Sequence, residues 1–257
     1  MWSTISRILP NGKFKEKLRE MFYRHLYNSY ALKGLVKNLN LSPDGTIFLE
    51  LNNGLKFHVP FWDAFWLLRE QFVKYEKYHM FKKGDTVIDA GANVGIFTVK
   101  AAKTVGKQGK VIAIEPSEDS LKFLEENIKT NRLKNVIIVP EGLWDKKGQK
   151  KFYLSSMPAS NSLIYKEHLD KFSEIKVDTL DNLLKRIRIK NVDFIKMDIE
   201  GAEIKALKGA EQTLKNNDVK LAIEIHGDRL QSIISLVRKL KFKVNQKTGL
   251  CFLFLKT

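Results

Sequence analysis

From Gly84 onward the sequence alternates short β-branched apolar runs with helical ones, and no other feature restricts the fold as much. Thr86–Ala90, Lys110–Ile114, Val136–Val139, 192–197 and 220–225 read as strands. Between them, 117–130 carries Leu121, Leu124 and Ile128 on one helical face, and 180–187, 202–215 and 229–240 follow as further helices. A terminal pair of strands is expected at 241–244 and 250–255. The strands are nearly continuous apolar runs, so both faces of the sheet they form must be covered. Alternation of this kind builds a doubly wound, mostly parallel α/β sheet with helices on both faces.

Ahead of that region the pattern differs. In 13–37, Phe14, Leu18, Met21, Phe22 and Leu26 recur at helical spacing among Lys13, Lys15, Lys17, Arg19 and Arg24. Such a helix can pack its apolar stripe on the main domain, or lie on a membrane or RNA. Thr46–Leu51 and 55–59 flank Asn52, Asn53 and Gly54, a hairpin signal because the turn needs positive φ. The stretch 61–78 is helical and aromatic, with Trp62, Phe65, Trp66, Leu68 and Phe72; these side chains suit a core or a stacking cleft. The expected organisation is an extension of helices and a hairpin over 1–80, packed on a core domain over 81–257.

Composition narrows the setting. A single cysteine, Cys251, excludes an internal disulfide and a thiolate zinc site. No uncharged apolar run approaches the roughly 18 residues of a membrane span. The first ten residues carry Arg7 within their apolar stretch and show no small-residue cleavage pattern, so a cytoplasmic location is expected. The net charge of +16 is spread along the chain rather than gathered in an arm. It suits a solvated lysine surface, or a polyanionic partner.

The sharpest segment runs from Val87 to Phe97: a strand, a turn holding Gly91 and Gly95, then the start of a helix. Glycines there let the backbone approach a ligand that a Cβ would exclude. The spacing is Gly-x-Asn-x-Gly, not the Gly-x-Gly-x-x-Gly of pyrophosphate binding, and no Lys-Ser/Thr follows to make a P-loop. Asp89 at the strand end repels phosphate but suits an ammonium group. Glu115 ends the next strand, where a carboxylate can accept from both ribose hydroxyls. A ribose, an ammonium and no phosphate describe S-adenosylmethionine. A dinucleotide is the second ligand, and a turn that merely packs a helix on the sheet is the third reading.

Several ordered segments resemble the FkbM-type methyltransferases: Gly84 through Gly95, Ile114-Glu115-Pro116-Ser117, Val177 through Asp181, Asp193 through Glu203 with Leu207 through Ala210, and Ile223-Glu224-Ile225. The resemblance runs from about residue 75 to residue 227. It implies a class I methyltransferase (Rossmann-like) fold, a seven-stranded mostly parallel sheet whose last strand is antiparallel, and O-methylation of sugar or natural-product hydroxyls. Carried over by position, Gly91, Asn93 and Gly95 shape the methionine side of S-adenosylmethionine, and Glu115 with Pro116 holds the ribose. Gly142 and Leu143 border the adenine, with Glu141 an acceptor beside them. Asp198, at the end of the fourth strand, stands by the transferring methyl.

Methyl transfer is an in-line displacement, so most of the catalytic work is alignment, which supplies roughly 7–11 kcal/mol when well done. An alcohol acceptor must also lose a proton, which calls for a base or a Lewis acid. His226, following the fifth strand, is the candidate base; Asp198 and Glu200 are the candidate catalytic carboxylates. Asp198, Glu224 and His226 can also converge on Mg2+. Glu200 and Glu203 open a helix, where carboxylates also favour the dipole. The polar run 155–162 is long enough to cover an acceptor. The leading expectation is thus an O-methyltransferase acting on a sugar, glycan or other small molecule. The alternatives are an RNA methyltransferase using the basic surface, and a cofactor-binding protein without catalysis.

Overall fold

The computed structural model describes residues 36–42, 44–60, 81–154, 161–164, 171–248 and 250–257, with Lys17, Met21, Gly34 and Asp63 besides. Nearly all of the expected helices at 61–78 and 13–37, and 155–160 of the covering run, lie outside the described residues. The chain divides into two compact units, 1–64 and 65–257.

In the first unit three strands, β1 (Val36–Leu41), β2 (Thr46–Leu51) and β3 (Lys56–Pro60), form an antiparallel sheet in that order. The hairpin expected around Asn52-Asn53-Gly54 is the β2–β3 pair, with Leu49 opposite Phe57 and Ile47 opposite Val59. Its period-two pattern buries Ile47, Leu49, Leu51, Phe57 and Val59 on one face. The end of the 13–37 stretch departs from the helical expectation. Val36 and Lys37 begin β1, whose partner β2 supplies hydrogen bonds that local periodicity does not reveal.

The second unit carries the α/β fold. Strands β4 (Thr86–Ala90), β5 (Lys110–Ile114), β6 (Val136–Val139), β10 (Phe194–Met197), β11 (Lys220–Glu224), β12 (Phe242–Thr248) and β13 (Cys251–Lys256) make one sheet, in the order β12-β13-β11-β10-β4-β5-β6. All neighbours are parallel except β13, which runs antiparallel to both β11 and β12. Winding starts at β4, proceeds outward through β5 and β6, then returns to β10 on the other side. The switch point therefore lies between β4 and β10, where a ligand crevice opens beyond the strand ends.

Both faces are covered, as continuous apolar strands require. Ile88, Ile112, Ile195 and Leu221 face the side covered by α3 (Leu180–Arg186), α4 (Glu203–Lys208), α5 (Glu211–Asn216) and α6 (Leu230–Lys239). Val87, Val111 and Phe194 face α1 (Ile96–Val105), and Ala113 meets Leu124 of α2 (Glu118–Thr130). Each such fully buried side chain contributes about 1.5–3 kcal/mol of transfer free energy. Residues 202–215, expected as one helix, are two. The chain breaks at Gly209, where a Cβ would stand 2.1 Å from the Trp144 carbonyl oxygen.

A second, small sheet was not expected. β7 (Gly142–Leu143), β8 (Gly148–Tyr153) and β9 (Phe172–Asp178) pair in the order β7-β9-β8 between β6 and α3. Among the described residues no helix is long and apolar enough to cross a membrane.

Candidate active site

The turn after β4 is held by the neighbouring strand ends. Gly91 has φ +77°, and a Cβ there would lie 1.8 Å from the Asp198 carbonyl oxygen. The turn thus touches the end of β10 directly, and the Asp198 N–H donates to the Ala90 carbonyl at 3.0 Å. Gly95 has φ +87°, and a Cβ there would meet Leu124 Cδ1 at 2.5 Å, so α2 packs against the loop. Asn93 takes the left-handed conformation at φ 46°. Its N–H donates to Glu115 Oε2 at 2.8 Å, and its Oδ1 accepts from Ser120 Oγ at 2.9 Å.

Glu115 sits at the end of β5, 6% exposed, with Oε1 accepting from the Ser117 N–H at 2.9 Å. Burial pushes its carboxyl up to about 7, against the pull of the two backbone N–H groups. The carboxylate therefore ties the glycine loop to the start of α2 and keeps further lone pairs for a hydroxyl. Pro116 is half-buried between this carboxylate and Ser117, the N-cap of α2.

Asp89 is placed differently from the sequence expectation. It is fully buried, with Oδ2 accepting from Thr98 Oγ1 at 2.6 Å and Oδ1 lying 3.1 Å from Lys196 Nζ. Lys196 Nζ also donates to the Gly91 carbonyl at 2.6 Å. The pair is an internal post beneath the glycine loop, so the Asp89 carboxylate has no surface to offer an ammonium group. Burial raises the Asp89 carboxyl. Burial would also lower the Lys196 amine, but the Asp89 and Asp198 carboxylates outweigh it and hold that amine above its ordinary value.

The expected adenine border is only partly aligned with its role. The Glu141 carboxylate accepts from Arg186 at 2.7 Å, which also approaches Asp178 at 3.5 Å. Leu143 is 2% exposed and belongs to the main core. Gly142 lies in β7, where a Cβ would meet Ile175, Leu163 and Val177 at 3.1–3.2 Å. What this segment can offer a purine is backbone and shape, because its charged side chain is already paired.

Beside the switch point the strand ends bring together Asp198, Glu200 and His226. His226 Nε2 is 3.1 Å from Asp198 Oδ1, and Nδ1 is 3.5 Å from Glu200 Oε2. All three side chains are about a fifth exposed, at 19%, 24% and 19% for Asp198, Glu200 and His226. Glu200 stands in a strained turn at φ 49°, followed by Gly201, and its carbonyl accepts from Ser162 Oγ at 2.6 Å. Burial works against a charged His226 ring. The Asp198 hydrogen bond and the Glu200 charge reverse that and raise it to about 9. Burial pushes Glu200 up to about 7. An imidazole held this way is protonated at neutral pH, so it accepts a proton on its own only at alkaline pH.

One atom of each of these three residues lies within 4.8 Å of the others, a spacing that suits a metal ion; Glu224 is not part of this cluster. The third member beside Asp198 and His226 is Glu200, because Glu224 still belongs to β11 while Glu200 sits in the turn that curls over the strand ends. Sequence reasoning missed Lys196, Thr98 and Ser120, and had Ser162 only as the end of the covering run. A lysine inside the otherwise apolar strand Phe194–Met197 was the signal for the first; the hydroxyls carry none.

A family model described as the methyltransferase FkbM domain matches residues 89–244. The structure of a methyltransferase FkbM from Methylobacillus flagellatus KT is similar, with a TM-score of 0.52 and 22% identity, covering 68% of this chain and 44% of that one. A tRNA (guanine(37)-N(1))-methyltransferase of Dictyostelium discoideum is 38% identical over 81 residues, which are 32% of this chain and 17% of that protein. The hexuronic acid methyltransferase AglP of Haloferax volcanii is 27% identical over 146 residues, 56% of this chain and 57% of that protein. The chain thus spans less than two thirds of the length of these relatives.

Proposed function

Because the chain belongs to the FkbM methyltransferase family, we propose that it transfers a methyl group from S-adenosylmethionine to a hydroxyl on a sugar, glycan or other small molecule. The observation that carries this reading is the contact between the glycine loop and the triad. Gly91 abuts the Asp198 carbonyl, so a ligand cradled on the loop after β4 ends beside Asp198, Glu200 and His226. The residues fit the cofactor in three respects. Gly91 and Gly95 let the loop seat directly against β10 and α2, Glu115 keeps lone pairs that suit ribose hydroxyls, and the carboxylates of the triad suit a cationic ligand. When bound, S-adenosylmethionine supplies an electrophilic methyl on a sulfonium.

The chain's own residues then have two tasks. The glycine loop, fixed from below by Asp89 and Lys196, and Glu115 orient one reactant. The triad receives the other, and its Glu200 carboxyl, raised to about 7, rather than the protonated His226, is the group suited to take the hydroxyl proton near neutral pH. Alignment alone is worth roughly 7–11 kcal/mol of barrier when both are held in line. A sugar acceptor is favoured by the relative that methylates hexuronic acids. The +16 net charge and the tRNA-methylating relative favour RNA as the second acceptor class.

Calorimetry with S-adenosylhomocysteine tests the reading at its root: the chain is expected to bind it, and no detectable binding overturns the proposal. Labelled methyl transfer to a panel of neutral and acidic sugars and RNA then separates the acceptors. Methylation of RNA alone, with a salt slope of several phosphate contacts, moves the assignment to the second class.

A further inference from the structure

We infer that the end of the main sheet opposite the crevice, where its parallel strands begin, is a docking face for an anionic lipid bilayer. The segments that enter β4, β5, β6, β10 and β11 are joined into one surface by the backbone. The Gly84 N–H donates to the Val105 carbonyl at 2.9 Å, the Lys110 N–H to the Asp85 carbonyl at 3.0 Å, and the Val111 N–H to the Asn135 carbonyl at 2.9 Å. On the other side of β4, the Asp193 N–H donates to the Thr86 carbonyl and the Lys220 N–H to the Asp193 carbonyl, each at 3.0 Å. Neighbouring strands lie about 4.8 Å apart, so these strand starts span roughly 20 Å.

The charges of these segments are sorted by sign. Asp85 is buried and accepts from the Lys82 N–H at 2.8 Å, and Asp193 accepts from the Thr86 N–H at 2.7 Å. Two of the acidic side chains are thus taken up by the backbone, and of the acids in these segments only Asp218 is exposed. The cations do the opposite. Lys83, Lys107, Lys110, Lys134, Arg188 and Lys190 are all exposed, and none makes an ion pair or a side-chain hydrogen bond among the described residues. A basic excess that is spread along the sequence is gathered in space, because each helix of a doubly wound sheet runs back to the end where the next strand begins. The carboxyl ends of the same strands hold Glu115, Asp198 and Glu200, so the two ends differ in sign.

The face suits a bilayer better than RNA. It is a row of short loops, with no helix or ribbon among them to enter a groove. The exposed large apolar side chains among the described residues, Met21, Phe172, Val244 and Leu250, all lie outside these segments, so the face offers no platform for stacking bases. RNA held there would also lie a full sheet length from the triad. A plane of anionic headgroups can meet all six cations at once, each acting within a screening length of about 8–10 Å. Bound in this way, the chain turns its crevice toward water. The docking face stands whether or not the chain transfers methyl groups.

The experiment is flotation of the full chain with lipid vesicles at about 0.1 M salt. Binding is expected to phosphatidylcholine vesicles that contain about one-third phosphatidylserine, and not to phosphatidylcholine alone. It should vanish near 1 M salt, where the screening length falls to about 3 Å. Lys107→Gln, Lys110→Gln and Lys134→Gln together are expected to weaken it about a hundredfold, roughly fivefold for each charge removed. The same change at Lys146, Lys147 and Lys176, exposed lysines in and beside the small sheet, is expected to cost at most about fivefold. Melting temperatures equal to that of the native chain show that both triple variants are folded. Equal losses in the two variants overturn the docking face. So does a native chain that ignores the anionic vesicles, or one that still holds them at high salt. Retention of RNA through Lys107, Lys110 and Lys134 without vesicle binding also overturns it, and assigns the face to a nucleic acid.

Discussion

The residue whose placement matters most is Lys196, a buried cation in a four-residue strand whose other three positions are apolar. It neutralises Asp89 and ties the Gly91 carbonyl, so a single side chain joins β4, β10 and the loop between β4 and α1. Lys196→Met is accordingly expected to leave Asp89 buried and unpaired, at a cost of about 3–5 kcal/mol in denaturant unfolding. Adding Asp89→Asn should recover a large part of that loss, since an uncharged amide no longer needs the lysine. If the single variant is as stable as the native chain, the post beneath the loop is not what holds it. The acidic end of β4 was visible in the sequence, but its role was not. Proximity of a carboxylate to a glycine turn reads as ligand chemistry until the lysine that occupies it is seen.

At the scale of elements, the site is a matter of which strand ends meet. The loop after β4 and the turn after β10 touch because those strands are hydrogen-bonded neighbours, with Ala90 level with Met197. Gly91 is the point of contact, and its φ of +77° is also one that a side chain disfavours. Gly91→Ala is therefore expected to displace Asp198 and to cost about 1–3 kcal/mol in strain alone. Thermal melting should fall, and S-adenosylhomocysteine affinity should fall at least tenfold. Affinity equal to that of the native chain would mean that the loop does not cradle the ligand. Most of the seven strands were readable because they are apolar runs bounded by turn residues; β12, with Phe242 buried and Lys243, Val244 and Asn245 exposed, was read only as the partner of the terminal strand. The small sheet of β7, β8 and β9 was not readable. β7 is two residues long, β8 reads Gly148-Gln149-Lys150-Lys151-Phe152-Tyr153, and most of its side chains remain accessible, so the hydrophobic signal is weak.

For the whole molecule, burial and charge leave a marked pH signature. His226 is raised from its ordinary 6.5 to about 9, so its contribution to stability is full below 6.5 and is lost as pH rises through 9. Glu115 is raised from 4.5 to about 7, so the folded chain binds the extra proton between those values and loses that advantage as pH rises through 7. Both groups act with the same sign. In metal-free buffer the melting temperature is expected to fall from pH 5 to pH 9, with His226→Asn flattening the upper half of the curve and Glu115→Gln the lower. A melting temperature that instead rises over this window would contradict both assignments. The +16 net charge belongs to the molecule at this scale and not to the site, whose side chains are mainly acidic. By itself the sequence determined the layered α/β class, the strand order of the main sheet and the glycine turn, which follow from local periodicity and from backbone conformations that particular residues permit or forbid; the resemblance of its ordered segments pointed to the family. Only the tertiary structure decided that Asp89 faces inward to Lys196, that Glu141 is spent on Arg186, and that Glu200 rather than Glu224 joins Asp198 and His226. Each of those outcomes depends on which distant side chain lies within about 3–4 Å, the range over which hydrogen bonds and close ion pairs act. Spacing along the chain does not encode that distance; the pairing of strands far apart in sequence does.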